Sequence, residues 1–176
     1  MELIDNVNKT LKDDLSFEIN KGSKVSIAAA SFSIYAFDQL KKELKDVEEL
    51  RFIFTSPTFI KEGAKKEKRE FYIPRREREK NLYGSEFEVK LRNEMTQKAI
   101  AKECADWIKE KANFKSNTTN ENMMGFINVD DTSYMPINSF TTVDLGIDKG
   151  NNAYYMIQKS SKPMSEAYLR LFDEIW

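Results

Sequence analysis

The 176-residue chain contains no histidine. Every mechanism that needs an imidazole as nucleophile, general base or metal ligand is therefore excluded before any motif is considered. Cysteine is nearly absent as well: Cys104 stands alone, so neither an intrachain disulfide nor a multi-cysteine metal site can form. Such a residue is expected as a small, buried apolar side chain. Long apolar runs are missing. Nothing approaches the roughly 20 residues of a membrane span, and Met1-Glu2-Leu3-Ile4-Asp5-Asn6 is acidic where a signal peptide would be basic. These absences predict a cytoplasmic protein with no membrane partner. A charge excess is lacking too, because 28 Lys and Arg against 29 Asp and Glu leave a formal charge of −1. The chain as a whole makes no case for a polyanion partner.

What is present reads as one α/β domain over residues 1–176, a length that buries roughly 70% of the unfolded surface without staples. Ile4, Val7, Leu11 and Leu15 carry the spacing of an amphipathic helix, stopped at Lys21-Gly22. Lys24 to Ala30 is a run of small and β-branched residues expected as a strand covered on both faces. Phe37, Leu40, Leu44 and Val47 repeat a helical period, and Leu50 to Phe54 is the next strand, ended by Thr55-Ser56-Pro57. Strand, helix and strand within some 30 residues predict a right-handed βαβ unit with parallel pairing.

Residues 61–92 break this rhythm and are expected as an insertion outside the sheet. Within them Lys65, Lys66, Lys68, Arg69, Arg75, Arg76, Arg78 and Lys80 outnumber Glu67, Glu70, Glu77 and Glu79, with Phe71, Tyr72 and Tyr83 interleaved. Cations with aromatics are the ingredients of a nucleic-acid surface, whereas the interspersed glutamates suit a protein interface or a solvated arm.

Leu91, Met95, Ile100, Cys104, Trp107 and Ile108 then mark a long helix ending around Lys111, followed by a polar loop over Ser116 to Asn122. Gly125 to Val129 reads as a buried strand, and Phe140 to Val143 as a second strand or a turn feeding Gly146. Asp148 to Asn152 is a turn. Tyr168, Leu169, Phe172 and Ile175 predict a last helix capped near Ser165. The chain stops at Trp176 inside that helix, which reads as a domain cut from a longer protein.

Several residues invite chemical readings. Ser31, Ser33, Thr55 and Ser56 are expected near the carboxyl ends of parallel strands, where open α/β sheets bind ligands; their hydroxyls suit a phosphate, or equally a helix cap. Asp130 and Asp131, with Asp144 and Asp148, are the weak candidates for a hard-metal site. Asp144 more simply predicts a turn bonded to nearby backbone.

The order of these segments, with Ala30-Ser31-Phe32-Ser33 after a strand of small residues, Thr55-Ser56-Pro57 after the next, and Ser139-Phe140-Thr141-Thr142-Val143-Asp144-Leu145-Gly146 later, resembles the phospholipase D-like domain at the N-terminus of some bacterial superfamily 2 helicase-like proteins. The resemblance implies a mixed sheet flanked by helices on both faces, a half-unit that pairs with a second copy as a homodimer. Active members of that family carry His-x-Lys-x4-Asp followed by Gly-Ser-x-Asn. With the aspartate at Asp131, Met124 and Phe126 stand over histidine and lysine; with it at Asp130, Met123 and Gly125 do. Asn138-Ser139-Phe140-Thr141 matches the second segment at serine in the first frame, while alignment on Phe-Thr sets Ser139 over asparagine. The implied function is an inactive accessory domain of a DNA helicase, serving nucleic-acid binding, dimerisation or targeting, with Ser31, Ser33, Ser56, Asn138, Ser139, Thr141 and the basic insertion as binding residues. No cofactor is implied here; ATP and Mg²⁺ would belong to a helicase region elsewhere. The competing readings are a histidine-free metal-dependent nuclease and a protein-interaction module.

Overall fold

A computed structural model describes residues 2–55, 94–119, 121–150 and 156–176. The basic insertion, with Ser56, lies outside the described residues. The fold is α/β, and its seven-stranded mixed sheet is built from both local and distant segments. In chain order the elements are β1 (Glu2–Ile4), α1 (Leu11–Glu18), β2 (Lys24–Ala29), α2 (Ile34–Lys45), β3 (Glu49–Phe54), α3 (Glu94–Lys111), β4 (Ala112–Ser116), β5 (Phe126–Val129), β6 (Thr132–Met135), β7 (Ile157–Ser160) and α4 (Met164–Ile175). The sheet order is β1-β7-β6-β5-β2-β3-β4.

The expected βαβ unit is present. β2 pairs in parallel with β3 from Lys24↔Glu49 to Ala29↔Phe54, and β3 pairs in parallel with β4. On its other side β2 pairs antiparallel with β5, so the remaining strands form an antiparallel meander closed by β1. Because successive side chains alternate across a strand, the sheet has two distinct faces. Val25, Ile27, Phe52 and Ile127 join Leu11 and Leu15 of α1, Phe37 and Leu40 of α2, and Cys104 and Trp107 of α3 in the main core. Ala28, Ile53 and Phe126 turn the other way, to Phe172 of α4. α4 thus packs on the face opposite α1–α3.

The second helix forms where its periodicity predicts, and Ser33 caps it by accepting from the Tyr35 and Ala36 N–H groups at 3.1 and 3.4 Å. Trp107 anchors α3 on α2, its indole N–H donating to the Leu44 carbonyl at 2.9 Å. Cys104 is 1% exposed, and burial together with the neighbouring Glu103 charge pushes its thiol up to about 12. It is the inert core residue expected. Among the described residues no helix is long and apolar enough to cross a membrane.

Several expectations need correction. The helix expected from Ile4 to Leu15 starts only at Leu11, with Thr10 as its cap. Asp5 interrupts it: one carboxylate oxygen accepts from the N–H groups of Val7, Asn8 and Lys9, and Asn6 takes φ of +55°. Those bonds, first the one from Val7, hold the Asp5 carboxyl well below its usual range. Ile4 is instead a sheet residue opposite Ile157, and Val7 is 80% exposed. Ser116, expected to open a loop, closes β4. β6 and β7 were not expected at all; the segment before Asn138 reads as a polar turn, yet Thr132–Met135 completes a hairpin with β5. Of the two readings of Phe140 to Val143, strand or turn feeding Gly146, the turn holds. The segment makes one isolated bridge, Phe140 to Phe32, and then a turn. Finally, Ser165 does not cap α4: the cap position is Pro163, without a side-chain bond, and Ser165 is buried against the sheet.

The β5 strand is positioned by a close backbone approach. Ile137 N–H donates to the Gly125 carbonyl at 2.8 Å. A β-carbon on Gly125 would lie 1.8 Å from the Ile137 carbonyl oxygen and 2.9 Å from that of Ala28, both backbone atoms that cannot rotate away. Gly125→Ala is therefore expected to lower stability by about 3 kcal/mol, seen as an earlier urea midpoint at unchanged slope.

Candidate functional site

The carboxyl end of β2 gathers five of the residues singled out in the sequence: Ser31, Ser33, Asn138, Ser139 and Thr141. Beyond β2 the chain runs beside residues 137–141: Ala30 N–H donates to the Asn138 carbonyl at 2.8 Å, Phe140 N–H to Ser31 at 2.8 Å, and Ser33 N–H to Phe140 at 2.9 Å. The Phe32 and Phe140 rings stack at 5.6 Å in the core beneath. Ser31, Ser33, Asn138, Ser139 and Thr141 are therefore neighbours along one short backbone pairing. Their hydroxyls are not equivalent. Ser33 is spent on the α2 cap, and Thr141 bonds the Asp144 carboxylate while accepting from the Asp144 N–H at 3.3 Å. Asp144 is 4% exposed, and its role in closing the 141–147 turn is the one its sequence context predicts. Asn138 is exposed and Ser31 and Ser139 are half-buried, so these three form the solvent-facing edge, or mouth, at that end of the sheet.

The motif strand reaches the same mouth from the other side. Met124 is 59% exposed just before β5, and Phe126 is buried between Tyr168 and Phe172 with ring centroids 5.6 and 6.2 Å away. In the alternative frame Met123 packs against the α4 cluster, and Gly125 has no room for a side chain. Neither frame offers a nucleophile, a proton donor or a cation to a phosphate.

The acidic residues are not gathered with them. Asp130 and Asp131 form the β5–β6 turn, beside the amino end of β2 and at the opposite end of the strands from Asn138. Asp130 has φ of +47° and accepts from the Lys24 N–H at 2.9 Å, while Asp131 pairs with Lys162 at 2.9 Å. Asp144 sits in the 141–147 turn, held near α1 by Asn6, whose amide donates to the Asp144 carbonyl at 2.8 Å. The four aspartates thus do not converge as a hard cation would require, and among the described residues no three acidic or cysteine side chains do.

One polar cluster was not anticipated. Asp14, 5% exposed on the core side of α1, pairs with Lys9 at 2.6 Å and Lys159 at 2.9 Å and accepts from the Tyr134 hydroxyl at 2.7 Å. Glu18 extends it to Lys159 at 3.0 Å and to the Thr132 hydroxyl at 2.7 Å. The available signal was an acid three residues after Leu11 and next to Leu15 on an otherwise apolar helix face. The cluster straps α1 to β6 and β7. Burial would raise the Asp14 carboxyl, but the bonds from Lys9, Lys159 and Tyr134 outweigh it and hold its pKa below the usual value. The Tyr134 hydroxyl moves the other way, pushed up by burial and by its bond to Asp14.

A scan of family models and a search of curated proteins return no match for the chain.

A carboxyl with a lowered native pKa adds stability above its unfolded value near 4 that is lost as pH falls through the native one. Asp14→Asn is expected to cost about 3 kcal/mol at pH 7, because Lys9 and Lys159 lose a buried counter-charge. The difference from wild type should shrink as pH falls below about 4. Urea unfolding at pH 7 and pH 3 checks both statements; a pH-independent difference would contradict the strap.

Proposed function

We propose that this chain is a catalytically inactive, phospholipase D-like accessory domain of a helicase-like protein, contributing nucleic-acid binding, dimerisation or targeting. One observation carries the reading. The two segments that resemble the family's motifs approach each other around β2 at one end of the sheet, through the Ile137–Gly125 and Ala30–Asn138 backbone bonds, yet present Met, Gly or Phe where transfer of a phosphoryl group needs a nucleophile and a cation. The surviving polar groups at that mouth, Ser31, Asn138 and Ser139, can hydrogen-bond a phosphate without attacking it. The basic residues Lys65, Lys66, Lys68, Arg69, Arg75, Arg76 and Arg78 supply the electrostatic attraction in this proposal. A homodimer and a cytoplasmic location belong to the same reading, and ATP with Mg²⁺ to a helicase region outside this domain. The nuclease reading loses ground because Asp130 and Asp131 occupy the far end of the strands.

Binding to single- and double-stranded DNA, titrated against salt, tests the proposal. The expected outcome is binding at low salt that weakens linearly in log–log form as salt rises, with roughly tenfold weaker binding when Lys65, Lys66, Lys68 and Arg69 are all changed to Gln. Absence of binding at low salt, or binding indifferent to salt, would refute the electrostatic part. No cleavage is expected with Mg²⁺ or Mn²⁺; cutting that disappears in Asp130→Ala or Asp131→Ala would restore the nuclease reading.

A further inference from the structure

The α4 face of the sheet is built differently from the α1–α3 face. A single register row crosses it: Ser26 is opposite Arg51 on β3 and Asn128 on β5, Asn128 is opposite Ser133 on β6, and Ser133 is opposite Ser160 on β7. These side chains share the face of Ala28 and Phe126 by strand alternation. Ser26, Asn128, Ser133 and Ser160 are all buried, at 3%, 2%, 0% and 6% exposure. α4 therefore lies on a surface that is half apolar and half polar.

The polar row is satisfied from within the sheet layer. Arg51 donates to the Ser26 hydroxyl at 3.1 Å, the Ser133 hydroxyl donates to Asn128, the Asn128 amide donates to the Asp130 carbonyl at 2.9 Å, and Gln158 donates to Ser160 at 3.0 Å. α4 supplies none of these bonds. Its own buried hydroxyl, Ser165 at 1% exposure, has no hydrogen-bond partner there. Lifting the helix would break only the Arg51–Asp173 pair among the bonds described for the row, and would return the Ser165 hydroxyl to water. Moving a helix off an ordinary apolar core offers neither relief.

Among the described residues, the contacts that hold α4 run from Tyr168 to Trp176. Among the described residues Ser165 and Phe172 are its buried side chains; Phe172 joins Ala28, Ile53 and Phe126 in the second cluster, against which Met135, Tyr168 and Ile175 also pack. Arg51 is the pin: its guanidinium pairs with Asp173 at 2.8 Å and lies 4.9 Å from the Phe172 ring centroid and 5.5 Å from that of Trp176. Lys115 adds a bond to the Trp176 carbonyl at 2.8 Å. The other end leaves β7 through the Ser161-Lys162-Pro163 turn, whose Lys162 pairs with Asp131 and Glu166 on the surface.

We propose that α4 is a releasable cover, pinned by Arg51, which opens as a unit about the 161–163 turn while the seven-stranded sheet and α1–α3 stay folded. Opening uncovers a strip with Ala28, Ile53 and Phe126 on one side and the Ser26–Ser160 row on the other. This does not depend on the nucleic-acid reading.

Hydrogen exchange on the whole chain, followed peptide by peptide across sub-denaturing urea, tests it. Amides of α4 should exchange at least about tenfold faster than those of β2 and β5, with a shallower urea dependence, as expected of a sub-global opening. Arg51→Met keeps the apolar stem and removes the pin together with its bond to Ser26; it should raise α4 exchange by roughly a further tenfold, well beyond any rise in β2 and β5. Asp173→Asn, at a half-exposed position, should act in the same direction should the Arg51 variant fail to fold. Protection of α4 equal to that of β2 and β5, with the same urea dependence in wild type, would overturn the proposal. So would a variant that accelerates all three elements together.

Discussion

Strand β2 hydrogen-bonds in parallel to β3 and antiparallel to β5, and this double pairing is the constraint on which the architecture rests. The βαβ half of the molecule is local in sequence, because α2 returns the chain directly to β3. The meander half is not: β5 reaches β2 across about a hundred intervening residues, bringing Ile127 opposite Ile27. At the carboxyl end of β2, small side chains leave space on both faces. Ala28 leaves room for Phe126 and Phe172 on one side, and Ala29 lies among the aromatic residues of the main core on the other. The same economy of space appears at Gly125, where backbone meets backbone and no β-carbon fits.

That division explains what was legible in the sequence. α2 and α3 repeat a helical period because each buries one face in the main core, while β2 and β3 are apolar runs buried on both faces, and their positions follow from pattern alone. The edge elements carry no such signal. β1 is three residues long, β4 alternates only between half-buried and exposed positions, and β6 and β7 place Ser133 and Ser160 where apolar residues would have marked a strand. Ile4 and Val7 mimic a helical spacing with Leu11 and Leu15, but the Asp5 carboxylate competes for the backbone donors and wins locally. Long-range pairing then assigns Ile4 to the sheet.

The candidate site was legible in part, and for the same reason. Ser31 and Ser33 follow a well-marked strand, so their place at its carboxyl end could be read; their adjacency to Asn138 and Ser139 depends on the β2–β5 pairing and could not. The hydroxyls divide by local chemistry. Ser33 and Thr141 satisfy backbone and carboxylate groups of their own turns, which leaves the mouth to Ser31, Asn138 and Ser139. The aspartates show the limit of composition: Asp130 and Asp131 look like a metal pair as a string, whereas their hairpin turn carries them to the far end of the strands. Asp14 shows the converse, a buried charge hidden in a helix whose apolar period looks complete without it.

The two faces of the sheet therefore do different work. On the α1–α3 side, large apolar residues and the Asp14 strap make the packing specific, since neither Asp14 nor Tyr134 can move without stranding a buried polar partner. On the α4 side the row from Ser26 to Ser160 is already satisfied, and Arg51 alone links sheet, carboxylate and two aromatic rings. Phe126 belongs to that second face, where its ring packs against Phe172. Its burial there provides the hydrophobic half of the α4 seat. Phe126 thus connects the docking of α4 to the end of the sheet at which Met124, Asn138 and Ser139 stand.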